Sequence, residues 1–157
     1  MASDARTALQ EADAALVGHP DVRTTGPLND AKKELAEAAI TLALVRGDRL
    51  SGPDELGVDV APYLNGMAEA ASELRRQVLD CLRHGQLDRA ETLMGAMDEV
   101  YSVLVTIDYP DGVTGGLRRT TDALRAVLER TRGDLTTTMV AARLQAAIDG
   151  ERGRRDP

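Results

Sequence analysis

The sequence predicts an all-α fold, and three observations carry that reading. Ala, Leu and Arg are the commonest of the 157 residues, and all three are good helix formers. No β-branched run at strand spacing is present. Apolar residues recur instead at alternating steps of three and four, the signature of a helix with one buried stripe. The length suffices for one domain with a core. With three Tyr and neither Phe nor Trp, that core must be built from Leu, Val, Ile, Met and Ala. Short connectors between the helical stretches imply antiparallel neighbours in a bundle.

Six helices are expected. The first covers about residues 4–17 and stops at Gly18-His19-Pro20. A polar connector, DVRTTGPLND, leads into the second, about residues 28–46, which ends at Gly47. The link DRLSGPDELGVDVAP carries two glycines and two prolines, so it reads as a loop with one helical turn at residues 53–56. The third helix covers about residues 62–84, with Leu64, Met67, Ala71, Leu74, Val78, Cys81 and Leu82 as its seam and Gly85 as its stop. The fourth covers about residues 87–107, with Leu93, Met97, Val100, Leu104 and Ile107 on one face. DYPDG, residues 108–112, is a turn, and Gly115-Gly116 is turn chemistry as well. The fifth helix is expected from an N-cap at Thr114 to about residue 132. Gly133-Asp134 is expected to break the chain, with a sixth helix over about residues 135–148 and a frayed tail, GERGRRDP. There is no internal repeat, and residues 1–157 read as a single helical domain.

Charge and motifs exclude several functions. The net charge is −7, so nucleic-acid binding needs a local basic patch. Of the basic residues two are Lys and the rest are Arg. The single cysteine, Cys81, forbids an intramolecular disulfide and points to an intracellular, cytoplasmic setting; on the third seam it is core packing. No apolar run reaches the roughly 18 residues of a membrane span, and MASDARTALQ lacks the apolar stretch of a signal peptide. His19 and His84 are isolated, and neither follows a glutamate by three residues, so the Glu-x-x-His pattern of di-iron bundles is missing. Thiol zinc sites, HExxH, a P-loop and a local Ser-His-Asp motif are all absent.

Two acidic pairs remain: Glu34 and Glu37 in KKELAEAAI, and Glu69 and Glu73 in GMAEAASELRR. At about 100° per residue, Glu69 and Glu73 lie about 40° apart, nearly opposite Met67, Leu74 and Val78. Periodicity alone therefore assigns them to a solvated polar face. Two observations oppose this. Glu34 and Glu69 have no cation three or four residues away, whereas the fifth helix alternates Arg118, Asp122, Arg125 and Glu129. The Glu34/Glu37 stripe also continues into Thr41, Leu44 and Val45, where residues 40–45 are apolar almost all round, so the pair borders something buried. If the two pairs face each other, four carboxylates need compensating positive charge. All-oxygen ligation suits Mg²⁺ or Mn²⁺. Such an ion can activate water for phosphodiester cleavage, or one glutamate can serve as general base.

Four stretches, DAKKELAEAA, ELGVDVAPYL, YLNGMAEAASELRR and DYPDGVTGGLRRTTDALRAVLERTRGD, together resemble the translin family. Within it the resemblance is to the translin-associated factor X branch and its archaeal relatives, over about residues 15–148. It implies an all-helical subunit of a ring or barrel, a homo-oligomer of hexamer or octamer size, that binds single-stranded RNA or DNA. In the catalytic branch it implies endonucleolytic RNA cleavage with Mg²⁺ or Mn²⁺ inside the cavity. Glu34 and Glu37 match the family's Glu-x-x-Glu, and Glu73 its second acid on the following segment. Glu69 stands where the catalytic branch usually has aspartate, one methylene shorter. The plain translin branch tends to lack this acidic set. In a ring, the polar side of the third helix would line the internal cavity. One departure concerns the family's long basic first helix: here only the short acidic SDARTALQEADAAL stands before the second helix, through truncation of the chain or loss of the element. The doublets Arg75-Arg76 and Arg118-Arg119 are the expected phosphate contacts, and Tyr63 and Tyr109 the available stacking aromatics. The leading expectation is a metal-dependent endoribonuclease. Its alternatives are a non-catalytic nucleic-acid-binding or scaffold subunit and an acidic assembly protein with merely hydrated carboxylates.

Overall fold

In the computed structural model, residues 2–19 and 26–155 are described. Among them the chain forms seven helices and no strand. They are α1 (Ala2–Ala15), α2 (Pro27–Arg46), α3 (Pro53–Leu56), α4 (Val60–Arg83), α5 (Leu87–Leu104), α6 (Asp111–Thr114) and α7 (Leu117–Arg155). The expected stop at Pro20 and the residues DVRTT of the first connector lie outside the described residues.

The centre of the bundle is α4, which packs against α2, α5 and α7. Its seam is buried at Met67, Ala71, Leu74 and Val78, as the spacing predicts. Pro62, Tyr63, Asn65, Gly66, Ala68 and Ala70 are buried too, so α4 is covered on more sides than its large apolar residues mark. Small residues make this possible because they let neighbouring helices come close. The tightest approach is at Gly66. A Cβ there would lie 2.7 Å from the Lys33 carbonyl oxygen, 3.0 Å from the Ala36 Cβ and 3.0 Å from the Glu37 nitrogen. The backbone of α2 thus rests directly on α4.

α2 begins with a proline in its first turn and ends at Gly47, whose φ of 74° is left-handed. Its buried face is Lys32, Ala36 and Ile40, one residue per turn. Lys32 is 2 % exposed. Its ammonium donates to Asp13 of α1 at 2.7 Å and to Asp59, just before α4, at 2.6 Å. Burial opposes the charge, but the two carboxylates outweigh it and raise the Lys32 pKa. One cation thereby ties three segments together.

The expected break at Gly133-Asp134 does not occur: the fifth and sixth helices are one helix, α7. Glycine in a helix interior costs only about 1 kcal/mol relative to alanine. The residues around it are held from outside the helix. Arg75 of α4 donates to the hydroxyl of fully buried Thr131 at 3.0 Å and to Asp134 at 2.8 Å. Leu135 is buried in the core. The helix continues to Arg155, past the expected end near residue 148. Its start also differs. Thr114 does not cap it but closes α6, and Gly115 and Gly116, at φ of 62° and 83°, make the turn. The Thr114 carbonyl accepts from Asn65 Nδ2 at 2.7 Å, and Asn65 Oδ1 accepts from Thr120 at 2.7 Å. α5 stops at Leu104, one turn earlier than expected.

Candidate metal centre

The close contact at Gly66 decides what happens one turn further along α4. There Glu69 meets Glu37, whose backbone nitrogen touches the Gly66 position, and Glu34 lies one turn back on α2. One carboxylate oxygen from each of Glu34, Glu37 and Glu69 lies within 4.8 Å of the others. The periodicity argument assigned Glu69 to a solvated face, and the ring argument to a cavity wall. Within this chain its side of α4 is covered by α2, and Glu69 is only half-buried.

Charge in this cluster is unbalanced. The ammonium of Lys33 contacts both Glu69 oxygens, at 3.0 and 2.9 Å, and one Glu34 oxygen at 3.8 Å. Those carboxylates raise the Lys33 pKa, the hydrogen bond to Glu69 first among the causes. The Glu37 carboxyl is pushed above its ordinary value, first by burial, then by the charges of Glu69 and Glu34 and by a hydrogen bond shared with Glu69. The contributions of Glu69 and Glu34, second to burial, reflect negative charge that Lys33 only partly offsets. Three carboxylates with one lysine offer an all-oxygen, net-negative donor set, which fits a hard divalent cation such as Mg²⁺ or Mn²⁺.

Glu73, grouped with these acids on sequence grounds, lies outside the three-carboxylate cluster. It is exposed, and Arg76 sits 3.9 Å away. It shares with Glu34 and Glu37 the rim of an open cavity of about 380 Å³, whose remaining lining is Ala38, Thr41, Leu42 and Val45. Leu42 is half exposed there, so the apolar stretch after Glu37 is less covered than its composition suggested.

The four arginines expected at phosphate divide. Arg75 is committed to Thr131 and Asp134 within the chain, which makes it a helix tie. Arg76 is open to solvent in a cleft of about 610 Å³ with Ser72, Leu79 and Arg83. Arg118 is exposed beside Tyr109, away from the acids. Arg119 borders a polar cleft of about 220 Å³ together with Asp30, Lys33, Asn65 and Glu69, and so adjoins the acidic cluster. Of the aromatics, Tyr109 is exposed, but Tyr63 is buried and donates its hydroxyl to the Ser51 carbonyl at 2.9 Å, which removes it from stacking. Sequence reasoning missed Lys33 and Asn65. Lys33 precedes Glu34 directly, but its partner Glu69 is 36 residues away, and only the packing joins them.

Fold and site together define an all-helical bundle in which two neighbouring helices bring three carboxylates to one point. Comparison with known proteins agrees with that class. No family model matches the chain. Over 114 residues the chain is 32 % identical to the uncharacterized protein MJ0175 of Methanocaldococcus jannaschii, a match over 71 % of this chain and 50 % of that one. The chain thus spans about half the length of this curated relative. Among solved structures it is similar to AfC3PO, an archaeal C3PO of translin type, in a complex with duplex RNA. There the TM-score is 0.76 and the identity 33 %, over 84 % of this chain and 69 % of that one. A crystal structure of AfC3PO gives the same TM-score of 0.76 with 30 % identity, over 88 % of this chain and 74 % of the other. The chain belongs to the translin family.

Proposed function

We propose that this protein is an Mg²⁺- or Mn²⁺-dependent endoribonuclease that acts on single-stranded RNA as a subunit of a translin-type homo-oligomeric barrel, of hexamer or octamer size, in the cytoplasm. The observation that carries the reading is the convergence of Glu34, Glu37 and Glu69, from two helices, within 4.8 Å. These three carboxylates would hold the ion. When bound, the ion supplies an activated water and charge stabilisation at phosphorus. Glu73, at the rim of the adjoining cavity, would orient that water or accept its proton. Arg119 and Arg76 flank the acids on two sides and supply phosphate contacts despite the acidic whole. The solved relative in complex with duplex RNA supports RNA as the ligand class. Among the described residues, no helix is long and apolar enough to cross a membrane. An exposed apolar stripe on α7, at Val140, Leu144 and Ile148, supports self-association.

End-labelled single-stranded RNA is expected to be cut internally with Mn²⁺ or Mg²⁺ and spared with EDTA, and Glu34→Ala is expected to abolish cutting. A duplex of the same sequence is expected to be cut more slowly. Unchanged cleavage by Glu34→Ala would sink the proposal. The position of Glu73 outside the cluster favours one second reading, a non-catalytic RNA-binding or scaffold subunit. That reading predicts salt-dependent binding of RNA or DNA strands with no metal requirement and no cleavage. Light scattering gives the subunit number in either case.

A further inference from the structure

We propose that Lys33 is the resident counter-ion of the acidic cluster, held on Glu69 and Glu34 until a divalent cation displaces its ammonium, and that it thereby sets the affinity for the ion. The inference rests on the metal-site reading above and goes one step further. Among the described residues, Lys33 is the only basic side chain within 4.0 Å of Glu34, Glu37 or Glu69. It contacts both oxygens of Glu69, so a metal drawing on Glu69 competes with this contact for the same carboxylate. Two cations at this range repel and draw on the same oxygens, so the Lys33 contact and the bound ion weaken each other.

The molecule also provides room for Lys33 to leave. Its side chain is 26 % exposed and borders the polar cleft that holds Asp30 and Asn65. An ammonium on a flexible four-carbon stem can withdraw there and keep hydrogen-bond partners. The adjacent Lys32 has no such freedom: its side chain is 3 % exposed and fixed between two aspartates. The same residue type at consecutive positions is locked in one case and exchangeable in the other. In that cleft Lys33 would join Arg119, which borders it as well.

The test is a calorimetric Mn²⁺ titration of the full chain without RNA, with circular dichroism to check helix content. Lys33→Met and Lys33→Gln are expected to bind Mn²⁺ about three- to tenfold more tightly than the wild type, because the competing charge is gone. Lys33→Arg is expected to stay within about twofold, because the charge is kept. A second readout is thermal: Mn²⁺ should raise the melting temperature of Lys33→Met by more than it raises that of the wild type. Wild-type affinity, or weaker binding, in both neutral variants would overturn the proposal while leaving the metal site standing. Absence of Mn²⁺ binding in the wild type would overturn both. Loss of binding in Glu37→Gln, with tightening in Lys33→Met, supports both.

Discussion

Two charged corners of this molecule lie side by side on α2, and they differ in how well they are balanced. At the first, Lys32 meets Asp13 and Asp59, with the cation buried and both carboxylates donated to at short range. At the second, three carboxylates share one lysine, and the pKa of half-buried Glu37 is raised by burial and by its acidic neighbours. The first corner joins α1, α2 and the start of α4, and its chemistry ends there. The second leaves negative charge uncompensated in a place the backbone cannot relax, because Gly66 clamps the two helices together. Paired charge serves the fold, whereas surplus charge of one sign, held by packing, is what a ligand of the opposite sign can use.

That contrast can be broken from either side. The largest expected effect is on chemistry: Glu37→Ala should lower RNA cleavage by more than about a hundredfold, measured on labelled single strands, with little loss of helix content. Next, Lys32→Met should destabilise the protein by about 2 kcal/mol in urea unfolding. That is below the usual cost of breaking a buried pair, because Asp59 is largely exposed. It should leave Mn²⁺ affinity nearly unchanged. Gly66→Ala acts on both corners' common support. Its methyl would press on the Lys33 carbonyl, so a loss of about 1–3 kcal/mol is expected together with weaker Mn²⁺ binding, as Glu37 and Glu69 are forced apart.

The two corners should respond to pH with the same sign but in different ranges, one alkaline and one acid. The Lys32 pKa is raised above 10.5 in the folded state. Its contribution to stability is thus complete below that value and lost as pH rises through the folded pKa. The Glu37 pKa is raised above 4.5, so its ionised form is the destabilising one. Stability from this group is gained as pH falls through its folded pKa, and Glu37→Gln should remove that gain. Unfolding curves of wild type and Glu37→Gln across the acid range read the difference directly. The smallest effect concerns α7: Arg75→Met should cost about 1–2 kcal/mol, by releasing the ties to Thr131 and Asp134.

Much of this was legible in the sequence. Composition and three-four spacing gave the all-α class and the helices flanking the site, because those signals are local. The translin likeness rested on quoted stretches that fall on α2, α4 and α7, the helices that build the site and its border. Three errors share a cause. Gly133 reads as a breaker, yet Arg75, far away in the chain, holds the helix across it. Periodicity alone, against the reading of Glu69 as a site residue, makes it solvated, because α4 is marked by large apolar residues on one side only while its small residues admit α2 on another. Tyr63 reads as available, yet it is spent on the Ser51 carbonyl. In each case a partner distant in sequence reversed the local indication. Glu73 shows the complementary limit: a spacing of four places it on the same side as Glu69, but about two turns beyond the Gly66 contact and outside the three-carboxylate cluster.

The account stands on three carboxylates gripping a divalent ion between α2 and α4. Electron paramagnetic resonance of added Mn²⁺ counts bound ions most directly, on the wild type and on a Glu37→Gln/Glu69→Gln double variant. The account predicts about one tightly bound Mn²⁺ per chain in the wild type and none in the double variant. Equal Mn²⁺ binding by the two proteins, or none by either, would contradict it.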